Sequence, residues 1–366
     1  MENDHAAPQR ACPNCGSSLE FDPQSGSLSC RHCAGREGIA AAGRAVEIQE
    51  SDYNRTLAEL QRQNGSVEQL AAHCANCGAE VIWPPLITAD RCPYCDSPIV
   101  EPPQMIRQLA PGYLLPFKLD QETARRCFRK WLKGRWFLPD AVKRLTAERP
   151  FDGIYLPFWT YDCRTRSRYQ GMRGDYYYVT VHYTVQENGK TVTRERQERR
   201  TRWHSVGGCV DNRFDDILVA GSRVLPAGLL EELEPWDFSN LVPYDSNFLR
   251  GFKAEVYAVE LDEGFEQAKE KTAGAIRAAV CSDIGGDEQR ITSLCVDYRE
   301  IRFKYLLLPV YLSAFRWHDK LYRLAVNART GEVQGERPWS WIKILAALLA
   351  GAAICGILWL MIDHGM

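Results

Sequence analysis

The chain has 366 residues, of which 45% are hydrophobic and 25% charged, and its formal net charge at pH 7 is -2. It is too long for one small domain, and its near-neutral charge excludes an overall electrostatic attraction to nucleic acid. Eight of the fourteen cysteines fall within the first hundred residues, which makes that end of the chain the first to consider.

These eight cysteines form four Cys-x-x-Cys pairs, arranged as two copies of one unit with fourteen residues between the pairs of each copy. Two thiolates separated by two residues can bind one metal ion from a tight turn, and a second pair completes a tetrahedron. The spacing predicts zinc ribbons at 12–33 and 74–104, with one zinc ion each. The predicted ligands are Cys12, Cys15, Cys30 and Cys33 in the first ribbon and Cys74, Cys77, Cys92 and Cys95 in the second.

The alternatives to zinc are disulfides, redox-active pairs and an iron site. Disulfides need an oxidising compartment, and the sequence shows no N-terminal apolar segment that would export the ribbons. A thioredoxin-like pair occurs singly, whereas these pairs are themselves paired. Iron in a rubredoxin-like site uses nearly the same four thiolates, so iron stays open. We interpret His32 and His73 as bystanders, and Gly16 and Gly78 as glycines that allow the turns after a pair.

After the first ribbon the composition changes. Residues 34–73 are polar and alanine-rich, which predicts a partly helical linker, and only 105–335 is long enough to bury a sizeable core. Within it, 175–185 alternates apolar and polar residues, the Asn-Gly pair at 188–189 is a strong turn signal, and 190–203 returns as the partner strand. We therefore expect the α+β fold class, with a mixed body that contains antiparallel hairpins.

Two stretches of the body predict the order strand, helix, strand, with helices at 121–133 and 263–279, which suggests a duplication. The first of these helices is amphipathic with a strongly basic face. Such a helix can lie on an anionic membrane or contact an acidic partner. A core-packing helix with a solvated basic face is more common, and we prefer that interpretation.

The C-terminal end is strongly apolar. Residues 344–362 contain no charge, and at ~1.5 Å per residue nineteen residues can cross a hydrocarbon layer of ~30 Å. We expect one transmembrane helix at 342–362, since a buried core helix would carry a polar face. Arg337 and Lys343 flank its N-terminal side and no Lys or Arg follows, which predicts a single-pass protein of the cell inner membrane with its N-terminal bulk in the cytoplasm. Small residues four apart in this helix favour a homo-oligomer.

Sequence motifs for catalysis are missing. Gly189-Lys190-Thr191 is similar to the end of a phosphate-binding loop, but Thr184 stands where that loop needs glycine. Gly-x-Ser-x-Gly, His-Glu-x-x-His and Gly-x-Gly-x-x-Gly do not occur. We therefore predict that the protein is not an enzyme and has no catalytic residues. The run 194–202 has a net charge of +3, and a solvated hairpin strand is preferred over contact with lipid headgroups or RNA.

Several segments resemble the bacterial TFIIB-type zinc-ribbon membrane protein family, and the likeness covers nearly the whole chain. They are the paired ribbons, 154–162, 213–219, 308–311, 326–333, 337–340 and the apolar segment that follows. Members of that family are similar to the zinc-ribbon membrane component that works with phage-shock protein A and an SPFH-domain protein in envelope stress response. Some members carry names borrowed from the primosomal helicase.

The resemblance implies an adaptor without catalytic residues, and only the eight ribbon cysteines carry over as binding positions. Our leading hypothesis is a tail-anchored, non-enzymatic zinc-binding scaffold that recruits soluble proteins to the cytoplasmic face of the membrane. Phage-shock protein A-like or SPFH-domain proteins are the expected partners. The alternative is a nucleic-acid-binding zinc-ribbon protein of the replication or transcription type. We consider it less favourable because each ribbon is net -1 between its first and last cysteine, whereas phosphate binding needs Lys and Arg.

Overall fold

The computed structural model describes residues 11–39, 48–62, 66–82, 90–99, 103–147, 149–187 and 190–363. Strands hold 46% and helices 26% of the structure, so the protein is predominantly β and the predicted α+β class is wrong. The difference arises largely in 154–163 and 303–315, where every residue is buried. A strand buried on both faces shows a continuous apolar run, and the two-residue period is then hidden in the sequence.

The described residues form six α-helices and seventeen strands, three of which are very long. The helices are α1 (Tyr53–Gln61), α2 (Gln121–Lys133), α3 (Asp140–Ala147), α4 (Ala227–Glu231), α5 (Leu261–Ile284) and α6 (Trp341–Asp363). The strands are β1 (Leu19–Asp22), β2 (Ser27–Cys30), β3 (Arg36–Glu37), β4 (Ser51–Asp52), β5 (Ser66–His73), β6 (Glu80–Ile82), β7 (Asp90–Arg91), β8 (Pro98–Ile99), β9 (Gln104–Leu109), β10 (Tyr113–Leu114), β11 (Asp152–Glu187), β12 (Lys190–Ala220), β13 (Val242–Pro243), β14 (Lys253–Glu255), β15 (Glu288–Trp317), β16 (Lys320–Asn327) and β17 (Val333–Gly335).

The centre of the main sheet is the antiparallel pair β11 and β15, which extends from Asp152 opposite Leu312 to Gly174 opposite Glu288 with two shifts of register on the way. On one side β10 pairs parallel with β15, and on the other side β14 pairs parallel with β11. Strand β10 is followed by helix α2 and later by the central strand β11. Strand β14 is followed by helix α5 and then by the central strand β15. The order β10-β15-β11-β14 is therefore symmetric about the central pair, as a strand–helix–strand repeat would give.

The three long strands continue past the sheet as a projection that we call the arm, made of 163–187, 190–213 and 288–300. The predicted hairpin is confirmed, since Tyr176 lies opposite Thr201 and the pairing continues to its end; the turn at 188–189 lies outside the described residues. Strand β15 stops accompanying the hairpin at Gly174. Beyond that point the arm tip, 175–187 and 190–202, has two strands only.

Helix α5 covers the base of the sheet and one face of the arm. Trp159 Nε1 donates to the carbonyl of Val259 at 2.9 Å, and Tyr161 Oη donates to the carbonyl of Leu261 at 2.7 Å. Both bonds fix the start of the helix. A Cβ at Gly264 would collide with Tyr161 Oη, so glycine is needed for this close approach. Because the aromatic residues donate to the helix, the packing also satisfies their buried polar atoms.

The predicted helix at 121–133 is confirmed as α2. It begins after Asp120, whose side chain accepts a hydrogen bond from the amide of Thr123 at 2.8 Å, an N-cap that satisfies one free donor of the first turn. Its apolar stripe is buried at Ala124, Phe128 and Leu132, and Phe128 packs against Phe151 with ring centroids 5.2 Å apart. This helix therefore packs on the core, as we preferred.

The C-terminal prediction needs correction. Residues 341–363 form α6, but no helix in the described part of the chain is long and apolar enough to cross a membrane. The predicted transmembrane helix at 342–362 and the single-pass inner-membrane location are therefore wrong, and the homo-oligomer expected through it loses its basis. The sequence argument counted the uncharged run alone, whereas helix α6 also includes Lys343 near its start and Asp363 at its end. Lys343 instead joins the start of α6 to the body, since its Nζ lies 2.6 Å from Asp140 Oδ1.

Candidate metal centres

Each of the four Cys-x-x-Cys pairs folds into the same turn. In the first turn the amide of Gly16 donates to the carbonyl of Cys12, and the amide of Cys12 donates to the carbonyl of Ser17. The other three turns have the same two hydrogen bonds, four and five residues after the first cysteine. The fourth residue has a left-handed conformation in every turn, with φ of 72° at Gly16, 76° at Gly78, 55° at Ala34 and 60° at Asp96. The two predicted glycine turns are confirmed. Ala34 and Asp96 adopt the same conformation at a steric cost of about 1–2 kcal/mol.

The turns bring the eight predicted cysteines into two groups of four, which we call centre 1 (Cys12, Cys15, Cys30 and Cys33) and centre 2 (Cys74, Cys77, Cys92 and Cys95). The Sγ atoms of each group all lie within 4.8 Å of one another. The closest Sγ pairs are 3.4 and 3.5 Å apart in centre 1 and 3.6 and 3.5 Å apart in centre 2. Sulfurs placed tetrahedrally at ~2.3 Å from one ion would be about 3.8 Å apart, so both groups fit a metal ion. Four thiolates fill such a shell and leave no position for water or substrate.

Backbone amides in centre 1 point at the sulfur of the first cysteine of each pair. Hydrogen bonds from the amides of Asn14 and Cys15 lower the pKa of Cys12. In the second turn, amide hydrogen bonds, foremost that of Cys33, lower the pKa of Cys30 to about 6. The thiolate is the form that binds metal, so these amides favour binding near neutral pH.

Ribbon 1 forms a separate three-stranded sheet, β1-β2-β3, that contacts the body through its hairpin. Phe21 meets the ring of Phe248 edge-to-face at 5.2 Å, and its amide donates to the carbonyl of Arg250 at 3.0 Å. On the same hairpin, Gln24 Nε2 lies 2.5 Å from Asp120 Oδ2. Phe21 also meets the ring of Phe252 at 6.3 Å, so the ribbon docks through two aromatic contacts and a few hydrogen bonds.

Ribbon 2 is built into the main sheet, because its strand β6 pairs with both β5 and β14. Tyr94, in its second metal turn, is buried and donates a hydrogen bond to Oε2 of the buried Glu255. Ser222 Oγ donates to the other oxygen of Glu255 at 2.7 Å. Burial raises the pKa of Glu255 to about 7, despite these two donors. Metal binding at centre 2 is thus coupled to the packing of the body.

A third group that could hold a cation is made of Glu50, Asp162 and Asp215. Lys304, which is 7% exposed, already enters it. Its Nζ lies 3.3 Å from Glu50 Oε1, 3.4 Å from Asp162 Oδ2 and 2.7 Å from Asp216 Oδ1. The ammonium supplies the positive charge that the carboxylates need, so we interpret the group as a buried ion-pair network. The sequence analysis missed this network because its members lie far apart in the chain.

The histidines next to the ribbon cysteines stay outside both centres. The metal-ligand groups found among the described residues contain cysteines and carboxylates only. His73 faces Glu80, with Nδ1 3.9 Å from Oε1, and His32 is exposed. Both observations agree with the interpretation of these histidines as bystanders.

Comparison with known proteins gives one similarity over nearly the full length. The chain is 28% identical, over 353 residues, to the uncharacterized protein YdjG of Bacillus subtilis (strain 168), and the match covers 93% of each chain. No protein-family profile matches the chain. No solved structure matches it. The similarity therefore extends over nearly the full length of both chains.

Proposed function

We propose that the protein is a zinc-binding, non-enzymatic scaffold that holds protein partners on a metal-stabilised β body. Zinc is supported by the ligand set, because closed centres of four thiolates are the usual structural zinc sites, while iron is the alternative for the same ligands. A structural zinc ion contributes about 10–16 kcal/mol to the folding of such small units. Purified protein should contain two zinc ions per chain by elemental analysis, and Cys15→Ser should lower the content to one.

The arm is the observation that carries the scaffold proposal. Its three long strands leave the sheet, and side chains on both faces of its tip are exposed or half-buried among the described residues. A two-stranded ribbon without a core is marginal in water. Exposed aromatic residues such as Tyr178, 64% exposed, favour a surface that another molecule covers.

The charge of the arm tip favours an acidic protein surface as its partner. Segment 192–202 carries five arginines and two glutamates, a net charge of +3. The guanidinium carbons of Arg196, Arg199 and Arg202 lie 5.9, 4.2 and 5.0 Å from the ring centroids of neighbouring tyrosines. These tyrosine faces are thus partly covered, which disfavours base stacking and leaves positive charge at the surface. The resemblance to a family whose members are similar to a component that works with protein partners supports the same proposal.

Shortening the arm tests the proposal. Tyr176 and Thr201 are cross-strand partners, so joining them through an Asn-Gly turn removes the tip and keeps the register below it. The control variant carries Gln at Arg125, Arg126 and Arg129 on the basic face of α2. Crosslinking followed by quantitative affinity capture should recover partners with the wild type and the control, and lose them with the shortened chain. Equal recovery by all three proteins would refute a role of the arm.

Nucleic-acid binding is the second candidate, and the arginines of the arm tip favour it. A basic two-stranded ribbon fits the major groove of DNA. In that case a fluorescent duplex or single strand should bind the full chain with an affinity that falls steeply with salt, and the shortened arm should abolish binding. Binding that stays flat across salt, or that survives the loss of the tip, removes this candidate.

A further inference from the structure

The two centres have the same ligands but differ in exposure. In centre 1, Cys15 and Cys33 are exposed. In centre 2, three cysteines are buried and the fourth, Cys77, is half-buried. Thiolates react with oxidants according to their exposure and nucleophilicity, so the same ligand set is open to attack in one ribbon and shielded in the other.

A single position strengthens this difference. Two residues after the last cysteine, ribbon 2 has Ser97, whose Oγ lies 2.9 Å from Cys95 Sγ and 3.4 Å from Cys74 Sγ. Ribbon 1 has Gly35 at the equivalent position, where a Cβ would lie 3.3 Å from Cys33 Sγ. A hydroxyl that hydrogen-bonds sulfur covers it and withdraws its electron density, so centre 2 has a side-chain cap that glycine cannot supply in centre 1.

The attachment of the ribbons points in the same direction. Centre 2 lies in a ribbon whose strand β6 is paired on both sides and whose Tyr94 is bonded to buried Glu255. Ribbon 1 is a separate sheet that pairs with no strand of the body among the described residues and contacts the body at Phe21 and Gln24. Opening centre 1 therefore disturbs one small ribbon, whereas opening centre 2 disturbs a strand that lies between β14 and β5 in the main sheet.

We propose that Cys15 and Cys33 are a thiol-oxidation site at which a hydroperoxide opens centre 1, while centre 2 keeps its ion. This inference rests on the proposed binding of a metal ion at both centres. An exposed thiolate attacks hydrogen peroxide, takes one oxygen as a sulfenic acid and releases hydroxide. A neighbouring thiolate then attacks that sulfur and displaces a second hydroxide: Cys12 lies 3.4 Å from Cys33, and Cys30 lies 3.5 Å from Cys15.

The balance of the reaction is simple. Two thiolates, one hydrogen peroxide and two protons give one disulfide and two waters, so the cysteines are oxidised and the peroxide is reduced. Two thiolates then remain in centre 1, too few to close a tetrahedral shell, and the ion is released. The protein would thereby lose the fold of ribbon 1 under oxidising conditions and keep its body.

The test uses the full-length chain, loaded with zinc and shown first to contain two ions. Hydrogen peroxide is added, released zinc is followed with a chromogenic chelator, and disulfides are located by N-ethylmaleimide blocking and peptide mass spectrometry. We expect one ion to leave at least about tenfold faster than the other, with the disulfide among the cysteines of centre 1. Fewer than two ions before peroxide would refute the proposed function itself.

Two reciprocal variants make the inference sharper. Gly35→Ser should slow zinc release from centre 1 by about fivefold, and Ser97→Gly should speed release from centre 2 by a similar factor. The new Cβ at Gly35 meets the mobile end of Asn14 at 3.0 Å, which can move aside. If Gly35→Ser does not bind two ions, the rate of zinc release from Ser97→Gly alone tests the inference. Equal release rates for both ions, a disulfide in centre 2, or variants that release zinc at the wild-type rate would overturn the inference.

Discussion

Replacing Glu255 by glutamine should change the stability of the protein in a pH-dependent way. The carboxyl is 1% exposed, and burial raises its pKa from the ordinary 4.5 to about 7. Below pH 4.5 it is protonated in both states. Between pH 4.5 and 7 the unfolded chain releases the proton while the folded chain keeps it, so the free energy of unfolding falls as pH rises. The interval of about 2.5 pH units corresponds to about 3 kcal/mol, which is fully lost above pH 7.

Glutamine has the shape of the acid and cannot ionise, so Glu255→Gln removes this pH dependence. Urea unfolding of wild type and variant at pH 5 and pH 8, with zinc in excess, measures it. The advantage of the variant should be about 2–3 kcal/mol larger at pH 8 than at pH 5. Effects of pH on metal binding occur in both proteins and cancel in this difference. Glu270→Gln, an exposed position on α5, is the control and should show none. An equal effect of Glu255→Gln at the two pH values would refute the argument.

Three further predictions concern stability and metal affinity. Gly264→Ala brings a methyl group against Tyr161 Oη and should lower the free energy of unfolding by about 1–3 kcal/mol in denaturant titrations. Gly274→Ala places its methyl group in open space on the same helix and should raise the free energy of unfolding by about 1 kcal/mol. Lys304→Met leaves the buried Asp162 without its cation and should cost about 3 kcal/mol at pH 7 by urea unfolding; a loss below 1 kcal/mol would contradict the network. Ala34→Gly relieves a φ of 55° and should strengthen zinc binding at centre 1 about fivefold in chelator competition, while unchanged affinity would show that the turn is unstrained.

The features that the sequence predicts well are local. Cysteine spacing identifies all eight sulfurs that the structure groups, because each turn is closed by hydrogen bonds within six residues. The alternation over 175–185 identifies a strand because its two faces differ: Val179, Val181 and Val185 are half-buried, whereas the polar residues between them are exposed. The Asp120 cap and the apolar stripe of α2 are likewise visible over one or two turns of helix.

The features that the sequence hides depend on distant contacts. Tyr94 and Glu255 are 161 residues apart, and only the fold shows that they share a buried hydrogen bond. Strands β11 and β15 lose their alternation where both faces are buried, so their length could not be predicted from period alone. The difference between Gly35 and Ser97 is present in the sequence, but its meaning requires the distances from Ser97 Oγ to the two sulfurs, which only the fold supplies.

The two ribbons show that a ligand set does not by itself decide what a metal centre does. Both ribbons have the same cysteine spacing, and the two metal turns of each have the same hydrogen bonds. Their intrinsic affinity for a thiophilic ion should therefore be similar. The cost of losing the ion differs, because in ribbon 2 it includes the pairing of β6 with two strands and the buried contact of Tyr94. In ribbon 1 it includes the two ring contacts of Phe21 and a few hydrogen bonds, with no strand pairing to the body among the described residues. Since metal binding and folding share one free energy, the ribbon with fewer contacts to the body is the one whose centre can open without unfolding the rest.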